Sequence, residues 1–273
     1  MQLIQGLNNV DTMLRMYGMV YTGDEVMIRD QKVRNVHNMA LIFDPSQPVI
    51  TSFDARKFNL DYAKREWLWY LGADRFDSSI EQYATMWKKL KQPDGSYYSN
   101  YGQYIFATRD DRRLSQFRYV CETLLMDRNS RRASMVLLQP DHLFHENVDT
   151  VCTYAINFTI ERNCLNMTVM MRSNDVVFGF TNDAFCFWNL YMMVHAWLSE
   201  HITGLGIGTY THFTNSMHVY ERHFDMLREI IGTAERGHTP ISVPWPTYDD
   251  VNTIVDSQGK VLMGDYGAWL AIE

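Results

Sequence analysis

Cysteine is scarce in this sequence of 273 residues, and the cysteines that are present form no recognisable metal-binding or disulfide pattern. The four are Cys121, Cys152, Cys164 and Cys186, without a C-x-x-C pair and without the even framework of a short secreted chain. We therefore predict that all four are reduced thiols and that the protein binds no metal.

A surplus of basic residues is also missing. Lys and Arg together number 25 and Asp and Glu 32, which gives a formal net charge of −7 at pH 7. Proteins that coat nucleic acid need a basic surface, so this balance argues against nucleic acid as a partner. Individual arginines can still bind a small phosphate group.

Membrane-spanning and targeting patterns are absent as well. The N-terminal segment MQLIQGLNNVDTMLRMYG lacks the basic-then-apolar order of a signal peptide. The most apolar stretch, AFCFWNLYMMVHAWL, is too short to cross a bilayer and contains Asn189 and His195. We expect no membrane partner and a cytoplasmic location.

No repeat, low-complexity tract or linker rich in Pro, Gly and Ser divides the chain. A single domain over residues 1–273 is the simplest prediction. Hydrophobic residues make up 46% of the sequence and include 17 Met, which indicates a bulky and adaptable core.

Capping residues and apolar periodicity predict several helices. Asn59 can cap a helix over LDYAKREWLWYL that ends at Gly72, and Ser115 can cap one that runs through FRYVCETLLM. The run from Asp183 to Glu200 is apolar almost all round, as expected of a central buried helix. The segment ERHFDMLREII predicts a helix closed by Gly232.

Strand signals lie between these helices. The segments TYAINFTI and LNMTVMM alternate around the turn-like ERNC and predict an antiparallel hairpin, with Cys152 at the entrance to its first strand. Further strands are predicted in ASMVLLQ, GIGTYTHF and SMHVY. Mixed strands and long buried helices together predict an α+β, three-layer architecture.

Three groups of residues could carry chemistry, and each has a plainer interpretation. Cys152 could be a nucleophile if its thiolate is stabilised, or a small buried hydrophobe. Arg131 and Arg132 could bind a phosphate group or form a solvated turn. His218 and Tyr220 point to one face of a strand, where they could bind a sugar hydroxyl or be satisfied polar groups of the core.

The order of the motifs resembles that of the thymidylate synthase superfamily over most of the chain. The matching pieces, in order, are REWLWYL with Glu66, the region of Trp87 followed by SNYGQ, NSRR, VCTYAINF, RSNDVVFG and HVYERH. The segment RSNDVVFGFTND is most similar to the phage-type deoxycytidylate hydroxymethylases of that superfamily. The resemblance implies a mixed, largely antiparallel sheet around a long buried central helix.

The resemblance also implies a reaction. The thiolate of Cys152 would add to carbon 6 of the pyrimidine of a nucleoside monophosphate, and carbon 5 would then attack the one-carbon unit of 5,10-methylenetetrahydrofolate, the cosubstrate. Loss of tetrahydrofolate leaves an exocyclic methylene group. A synthase reduces that group with hydride, whereas a hydroxymethylase adds water to it.

Phosphate binding and a homodimer follow from the same family pattern. Arg172 would lie near Cys152 and the phosphate, where it would depress the thiol pKa. The phosphate would also contact Ser173 of the same chain and Arg131 and Arg132 of the neighbouring subunit. A further basic residue is expected near the N-terminus, with Arg29 as the candidate and Arg34 as the alternative.

Other site residues are implied only by the resemblance. Glu66 would organise water and move protons, although a glutamate in a KRE run is otherwise expected to be an exposed helical residue. Tyr101 would assist proton transfer at carbon 5, and His218 and Tyr220 would bind the 3′-hydroxyl of the sugar. Trp87 would lie near the folate, Asp175 would bind its pterin ring, and Gly179 would allow the ligand to approach the backbone closely. Ile272 and the terminal carboxylate would belong to a tail that closes the site.

Asp183 occupies the position at which uracil-specific members of the superfamily have asparagine. A carboxylate can accept hydrogen bonds from the amino group of cytosine and from a protonated ring nitrogen 3, whereas it would oppose oxygen 4 of uracil. This predicts a preference for cytosine of about tenfold or more. The plainer interpretation makes Asp183 or Asn182 a helix cap, and a register shift of one residue would place Asn182 at the base.

The resemblance, together with Asp183, thus implies a deoxycytidylate hydroxymethylase that supplies hydroxymethyl-dCMP for modified DNA. A CMP or dUMP hydroxymethylase and a methylating synthase remain as alternatives. A catalytically silent nucleotide-binding or RNA-binding protein is disfavoured, because such a protein has no chemical need for Cys152, Glu66, Arg172 and Asp183 together.

Overall fold

The computed structural model describes residues 1–108, 114–144, 146–233 and 237–272. The strands are β1 (Gln2–Ile4), β2 (Asp24–Ile28), β3 (Gln31–Phe43), β4 (Thr51–Phe53), β5 (Ser134–Val136), β6 (Thr153–Glu161), β7 (Cys164–Met171), β8 (Asn174–Asp175), β9 (Gly206–Tyr220) and β10 (His238–Pro240). The helices are α1 (Asn9–Tyr21), α2 (Leu60–Leu71), α3 (Trp87–Leu90), α4 (Gly102–Ile105), α5 (Gln116–Met126), α6 (Gly179–His201), α7 (Phe224–Thr233), α8 (Tyr248–Asp256) and α9 (Gly264–Leu270).

The main sheet is mixed. Among the described residues it has the order β1-β3-β9-β7-β6-β5, with β2 paired to β3 and β8 paired to β9. The β2/β3, β3/β9, β5/β6 and β6/β7 pairs are antiparallel, whereas β1/β3, β7/β9 and β8/β9 are parallel. The predicted α+β class with a mixed sheet is confirmed.

The two helices predicted from capping residues begin where the caps lie. The side chain of Asn59 accepts from the backbone N–H of Tyr62 at the start of α2, and Ser115 accepts from that of Arg118 at the start of α5. Each side chain satisfies a donor that the first helical turn leaves without a partner. Gly72 ends α2 as predicted.

The predicted β6–β7 hairpin is also confirmed. Glu161 pairs with Cys164, so the turn consists of Arg162 and Asn163 alone. Both turn residues have positive φ, 50° and 58°, as a type I′ turn requires. At the other end of the hairpin the register shifts between Thr153 and Ala155, which places an irregularity directly after Cys152.

Helix α6 differs from its prediction at the start. It begins at Gly179, so Asp183 lies inside the helix rather than before it. The residue preceding the helix is Phe178, which makes no side-chain capping bond, and the interpretation of Asn182 or Asp183 as a cap is therefore wrong. The helix is buried around most of its surface and packs against α2, α5 and α8.

Three smaller boundaries also differ. Gly232 lies within α7, which ends at Thr233. Only Ser134–Val136 of ASMVLLQ forms a strand. The two segments predicted around Asn215 form one continuous strand, β9, because pairing with β3 runs through them.

Candidate active site

Cys152 lies immediately before β6, and Arg172 is held against the same segment. The backbone N–H of Arg172 donates to the carbonyl of Cys152 at 2.8 Å. Its guanidinium donates through Nε to the carbonyl of Val151 at 3.1 Å and through Nη2 to that of Thr150 at 2.5 Å. The pairing that ends β7 therefore brings a cation beside the thiol.

The charge of Arg172 does not determine the pKa of the Cys152 thiol. Burial raises the pKa of Cys152 to about 11, and Arg172 and Arg29 only partly oppose this, while Asp183 and Asp149 add to it. Arg172 thus lowers the thiol pKa as expected, but the net shift is upward. Desolvation of the thiolate outweighs the nearby guanidinium groups.

Glu66 is buried on α2, with only 6% of its surface exposed. Burial raises its pKa to about 7, against hydrogen bonds from Tyr62 and Tyr70 that lower it. The hydroxyl of Tyr70 donates to Oε1 at 3.4 Å, while Oε2 has no hydrogen-bond partner within the described residues. The interpretation of Glu66 as an exposed helical glutamate is wrong, and the group can exchange a proton near neutral pH.

Tyr101 packs against Tyr70 of α2 and Phe187 of α6. Its ring lies 5.4 Å from that of Tyr70 and 6.1 Å from that of Phe187, between centroids. Burial raises the pKa of Tyr101 well above its ordinary value, with the charges of Asp183 and Cys152 acting in the same direction and a hydrogen bond to Thr153 opposing them. The phenol therefore stays protonated and can act as a proton donor.

Trp87 reaches the same region indirectly. Its Nε1 donates to the hydroxyl of Tyr62 at 2.9 Å, and Tyr62 in turn lowers the pKa of Glu66 through a hydrogen bond. Trp87 is buried against Trp69 at 4.8 Å between ring centroids. The side chain thus supports the tyrosine that contacts Glu66.

Asp183 faces the same group of residues from α6. Burial raises its pKa well above the ordinary value, the charge of Glu66 raises it further, and a hydrogen bond from Asn174 lowers it. Two carboxyl groups that share a poorly solvated site cannot both ionise readily. In the protein alone, these effects shift the equilibrium of the Asp183 carboxyl group toward its acid form.

The family model described as Thymidylate synthase matches residues 18–258. The chain belongs to the thymidylate synthase family. Membership implies one-carbon transfer chemistry, and the clustered thiol, arginine and carboxyl groups are suited to it.

Relatives with two different activities are similar to this chain. The deoxycytidylate 5-hydroxymethyltransferase of Enterobacteria phage T2 is 28% identical over 232 residues, covering 80% of this chain and 89% of the relative. The thymidylate synthase of Bacillus mojavensis is 27% identical over 203 residues, covering 70% of each chain.

A solved structure supports the fold assignment. The thermostable thymidylate synthase A from Bacillus subtilis superposes with a TM-score of 0.70 at 21% identity, covering 94% of this chain and 98% of that one. The likeness confirms the thymidylate synthase fold that the motif order implied.

His218 and Tyr220 lie together on β9 as the strand alternation predicts. Their ring centroids are 5.0 Å apart. His218 is buried, and its Nδ1 has no hydrogen-bond partner among the described residues. The interpretation of the two as satisfied core polar groups therefore leaves Nδ1 of His218 unexplained.

The basic residues expected at the phosphate differ in their surroundings. Arg34 donates to Glu25 and to the carbonyl of Tyr21, and it lies 4.3 Å from the ring centre of Phe224. Arg29 sits at the tip of the β2–β3 turn with a φ of 48°, and its charge lowers the pKa of Cys152. Arg29 is thus directed toward the site, and Arg34 is engaged elsewhere.

Arg131 and Arg132 lie at the surface of the protein. Both are exposed on the loop after α5, beside an open cavity of about 800 Å³. The arginines that act on the pKa of Cys152 are Arg172 and Arg29. Ser173, next to Arg172, is half-buried.

Asp175 and Gly179 both have contacts within the chain. The carboxylate of Asp175 accepts from the backbone N–H groups of Val177 and Phe178 at 3.2 and 3.4 Å. A Cβ at Gly179 would lie 2.7 Å from Oδ1 of Asn174, so the glycine leaves room for that amide.

The C-terminal segment is fastened to α2. Lys64 donates to the carbonyl of Trp269 and lies 4.4 Å from the centre of its indole ring. Ile272 follows two residues after α9 and is half-buried. The terminal carboxylate belongs to Glu273, which lies outside the described residues.

Sequence reasoning missed several polar residues around the site. Arg56 donates through Nε to the carbonyl of Val177 at 2.8 Å and through Nη2 to Oγ1 of Thr181 at 3.0 Å. Asp149 accepts from the hydroxyl of Ser99 and raises the pKa of Cys152. The signal for Asp149 was its position three residues before the thiol, whereas Arg56 gave none.

Within the part of the chain that the structure describes, no three His, Cys, Asp or Glu residues are grouped so as to hold a metal ion. In that same part, no helix is long and apolar enough to cross a bilayer.

Proposed function

We propose that the protein is a deoxycytidylate 5-hydroxymethyltransferase. It transfers the one-carbon unit of 5,10-methylenetetrahydrofolate to carbon 5 of dCMP, with addition of water, and releases tetrahydrofolate. The observation that carries the proposal is the electrostatic interaction of the Asp183 carboxyl group with Glu66, Tyr101 and Cys152.

The protonation state of Asp183 suits cytosine. Because burial and Glu66 favour the acid form of Asp183, it can deliver a proton to ring nitrogen 3 as the base binds. The resulting carboxylate then accepts from nitrogen 3 and from the exocyclic amino group, as a charge-assisted pair. A positively charged ring is more easily attacked at carbon 6.

The covalent steps follow from that activation. The thiolate of Cys152 bonds to carbon 6, and carbon 5 attacks the methylene carbon of the folate. Carbon 5 loses its proton as tetrahydrofolate leaves, and water adds to the exocyclic methylene group. The bond from carbon 6 to sulfur then breaks, which restores the ring and the thiol.

Glu66 and Tyr101 are the proposed proton carriers. A carboxyl group with a pKa of about 7 can accept a proton from water and return it at neutral pH. We assign Glu66 to the water that adds to the methylene group, and Tyr101 to proton transfer at carbon 5. Trp87, Asp175, Gly179 and Ile272 are assigned to the folate side.

The nucleotide is held at its phosphate and its sugar. Arg29, Arg172 and Ser173 of one chain would bind the phosphate together with Arg131 and Arg132 of the neighbouring subunit of a homodimer. Neither guanidinium of the arginine pair has an ion-pair or hydrogen-bond partner within the described residues, which leaves both free for a second chain. His218 and Tyr220 would bind the 3′-hydroxyl.

The test is to identify the product. Protein, methylenetetrahydrofolate and dCMP are incubated, and the nucleotide is analysed by mass spectrometry, with CMP and dUMP in parallel. A hydroxymethyl gain on dCMP is the expected result. A methyl gain on dUMP would instead establish the alternative, a thymidylate synthase, which the similar identity of the Bacillus relatives favours.

A further inference from the structure

Residues 175–181 lead from the end of β8 into the first turn of α6, and we call them the 175–181 loop. Its first end is fixed on β9, since Asp175 pairs with His218 and the backbone N–H of Val176 donates to the carbonyl of His218 at 2.9 Å. Its other end has no side-chain cap, because Phe178 precedes α6 without making such a bond. Another contact has to hold that end of the loop.

The carboxylate of Asp175 takes its orientation from the loop. It accepts from the backbone N–H groups of Val177 and Phe178 at 3.2 and 3.4 Å. Both donors belong to the loop itself, so a shift of Val177 and Phe178 would turn or release the carboxylate. The orientation of Asp175 therefore depends on whatever holds these two residues.

Arg56 holds them from the connection between β4 and α2. Its Nε donates to the carbonyl of Val177 at 2.8 Å, and its Nη2 donates to Oγ1 of Thr181 at 3.0 Å. Thr181 is buried, and its hydroxyl donates in turn to the carbonyl of Phe178 at 3.3 Å. One guanidinium thus binds Val177 directly and Phe178 through a hydroxyl group.

The side chain of Arg56 is itself held in place. The backbone N–H of Arg56 donates to the carbonyl of Phe53 at 2.9 Å, which fixes the turn after β4. Its Cζ lies 4.9 Å from the ring centre of Phe178 and 5.3 Å from that of Phe58. These contacts between a cation and aromatic rings are attractive, so the guanidinium forms a fixed link between β4 and the loop.

A guanidinium is a costly group at this position. Burial lowers the pKa of Arg56, and the side chain forms no salt bridge within the described residues. Thr181 lies in the first turn of α6, where the helix dipole disfavours a neighbouring cation. The hydrogen bonds to Val177 and Thr181, with a longer one to the carbonyl of Lys57 at 3.4 Å, offset these costs. They need a planar group with donors on three nitrogens, which arginine alone provides.

We propose that Arg56 is a positioning residue for the folate side of the reaction: it fastens the 175–181 loop to the connection between β4 and α2, and thereby fixes the orientation of the Asp175 carboxylate. The inference rests on the proposed function, because that function assigns Asp175 and Gly179 to the folate. Arg56 acts through the loop and not on the reacting atoms.

The test separates the folate from the nucleotide. The KM for methylenetetrahydrofolate is measured at saturating dCMP, the KM for dCMP at saturating folate, and kcat in both series. Arg56→Gln removes the charge, whereas Arg56→Lys keeps it and loses the fork of donors. Thr181→Val removes the hydroxyl group that Arg56 binds, and Thr181→Ser retains it.

Arg118→Lys is the matched control. Arg118 also joins two distant helices, since its guanidinium on α5 donates to Oδ1 of Asn252 at 2.6 Å and to Oδ1 of Asp256 at 2.9 Å on α8. Thermal unfolding of this variant measures the stability that is lost with a bridging fork of this kind. The variant should have a lower Tm than wild type and an unchanged KM for both substrates.

Arg56→Gln and Arg56→Lys should each raise the KM for folate by about tenfold or more, the effect of losing hydrogen bonds from a charged group. The KM for dCMP should stay nearly unchanged. Thr181→Val should raise the KM for folate by a smaller factor, and Thr181→Ser should behave as wild type. Arg56→Gln combined with Asp175→Ala should have the same KM for folate as Asp175→Ala alone, because both changes remove one contact.

Two results would overturn the inference while leaving the proposed function intact. One is an Arg56→Lys protein that makes hydroxymethyl-dCMP with a normal KM for folate and only the loss of Tm seen in Arg118→Lys. The other is a double variant in which the effects of Arg56→Gln and Asp175→Ala on the KM for folate multiply.

Failure of the proposed function gives a different result. If wild type methylates dUMP, the product assignment fails, and the KM for folate measured with dUMP still decides the role of Arg56. If wild type turns over neither nucleotide, calorimetry with tetrahydrofolate in the presence of dCMP replaces the rate assay. Weaker binding by Arg56→Lys than by Arg118→Lys then supports positioning, and equal or absent binding contradicts it.

Discussion

At the scale of single residues, the burial of Glu66 raises its pKa toward neutral pH and lowers the stability of the folded protein there. Its pKa in the folded protein is about 7, above the ordinary value of 4.5. A carboxyl group with a raised pKa contributes stability that is complete below the unfolded value and is lost as pH rises through the folded value. The protein should therefore lose stability between about pH 4.5 and pH 7.

Glu66→Gln should remove that loss of folding stability and abolish turnover. The amide cannot ionise, so the variant should exceed wild type at pH 8 by about 3 kcal/mol of unfolding free energy and differ little at pH 4.5. Urea denaturation at both pH values measures this. Glu122→Gln on the exposed side of α5 is the control, and an equal gain there would point to net charge rather than burial.

Asp183→Asn should exchange the base preference. An amide can donate to oxygen 4 and accept from nitrogen 3 of uracil, but it offers no charge to a protonated cytosine. We expect kcat/KM for dCMP to fall by about 100-fold or more. The ratio of kcat/KM for dUMP to kcat/KM for dCMP should therefore rise. Competition assays with both nucleotides measure the ratio, and a ratio equal to that of wild type contradicts the assignment.

Residue chemistry was predictable only in part. The motif order identified Cys152, Glu66 and Asp183, and the structure places these three together. The sequence did not predict that burial would raise the thiol pKa to about 11, because desolvation depends on packing between distant segments.

At the scale of elements, α2 and α4 meet at a glycine. A Cβ at Gly102 would lie 1.7 Å from the carbonyl oxygen of Tyr70, a backbone atom that cannot move without moving α2. This close approach places Tyr101 against Tyr70. The geometry of the site therefore requires glycine, which has no side chain, at position 102.

Gly102→Ala should separate the two helices. We expect a loss of about 3 kcal/mol or more in unfolding free energy, as for severe overpacking, together with a fall in kcat. Gly18→Ala on α1 is the matched control, because nothing lies within 4 Å of its Cβ. That change should stabilise by about 0.5–1 kcal/mol, and similar effects of the two variants in thermal unfolding would contradict the argument.

Element boundaries were predictable where a local side chain sets them. Asn59 and Ser115 cap their helices, and the turn Arg162–Asn163 follows from the strands on either side. The start of α6 has no side-chain cap, so the Asn-Asp pair gave a false signal. Tertiary packing of an apolar helix extends it past the point that local rules predict.

At the scale of the whole molecule, the proposed homodimer can be tested by complementation. A Cys152→Ala protein and an Arg131→Ala/Arg132→Ala protein should each be nearly inactive. Mixed dimers would combine the intact thiol of one chain with the intact arginines of the other. After random exchange, about a quarter of wild-type activity should return in a rate assay, since half of the dimers are mixed and each has one complete site.

Absence of recovery, with subunit exchange verified, would place the arginine pair in the site of its own chain. Mixing Cys152→Ala with Glu66→Gln serves as the control. Both residues belong to one chain's site, so a mixed dimer contains no complete site and no activity should return.

The β6–β7 hairpin determines how long the Cys152 thiol stays exposed during folding. Its pairing is local in the chain, so it should form early, whereas shielding by α2 and α6 requires contacts between distant segments. Until those helices dock, the thiol at the mouth of the hairpin should ionise more readily and meet oxidants freely. The nucleophile is then most vulnerable while the chain is still folding, and refolding yields should depend on a reductant that the finished enzyme no longer needs.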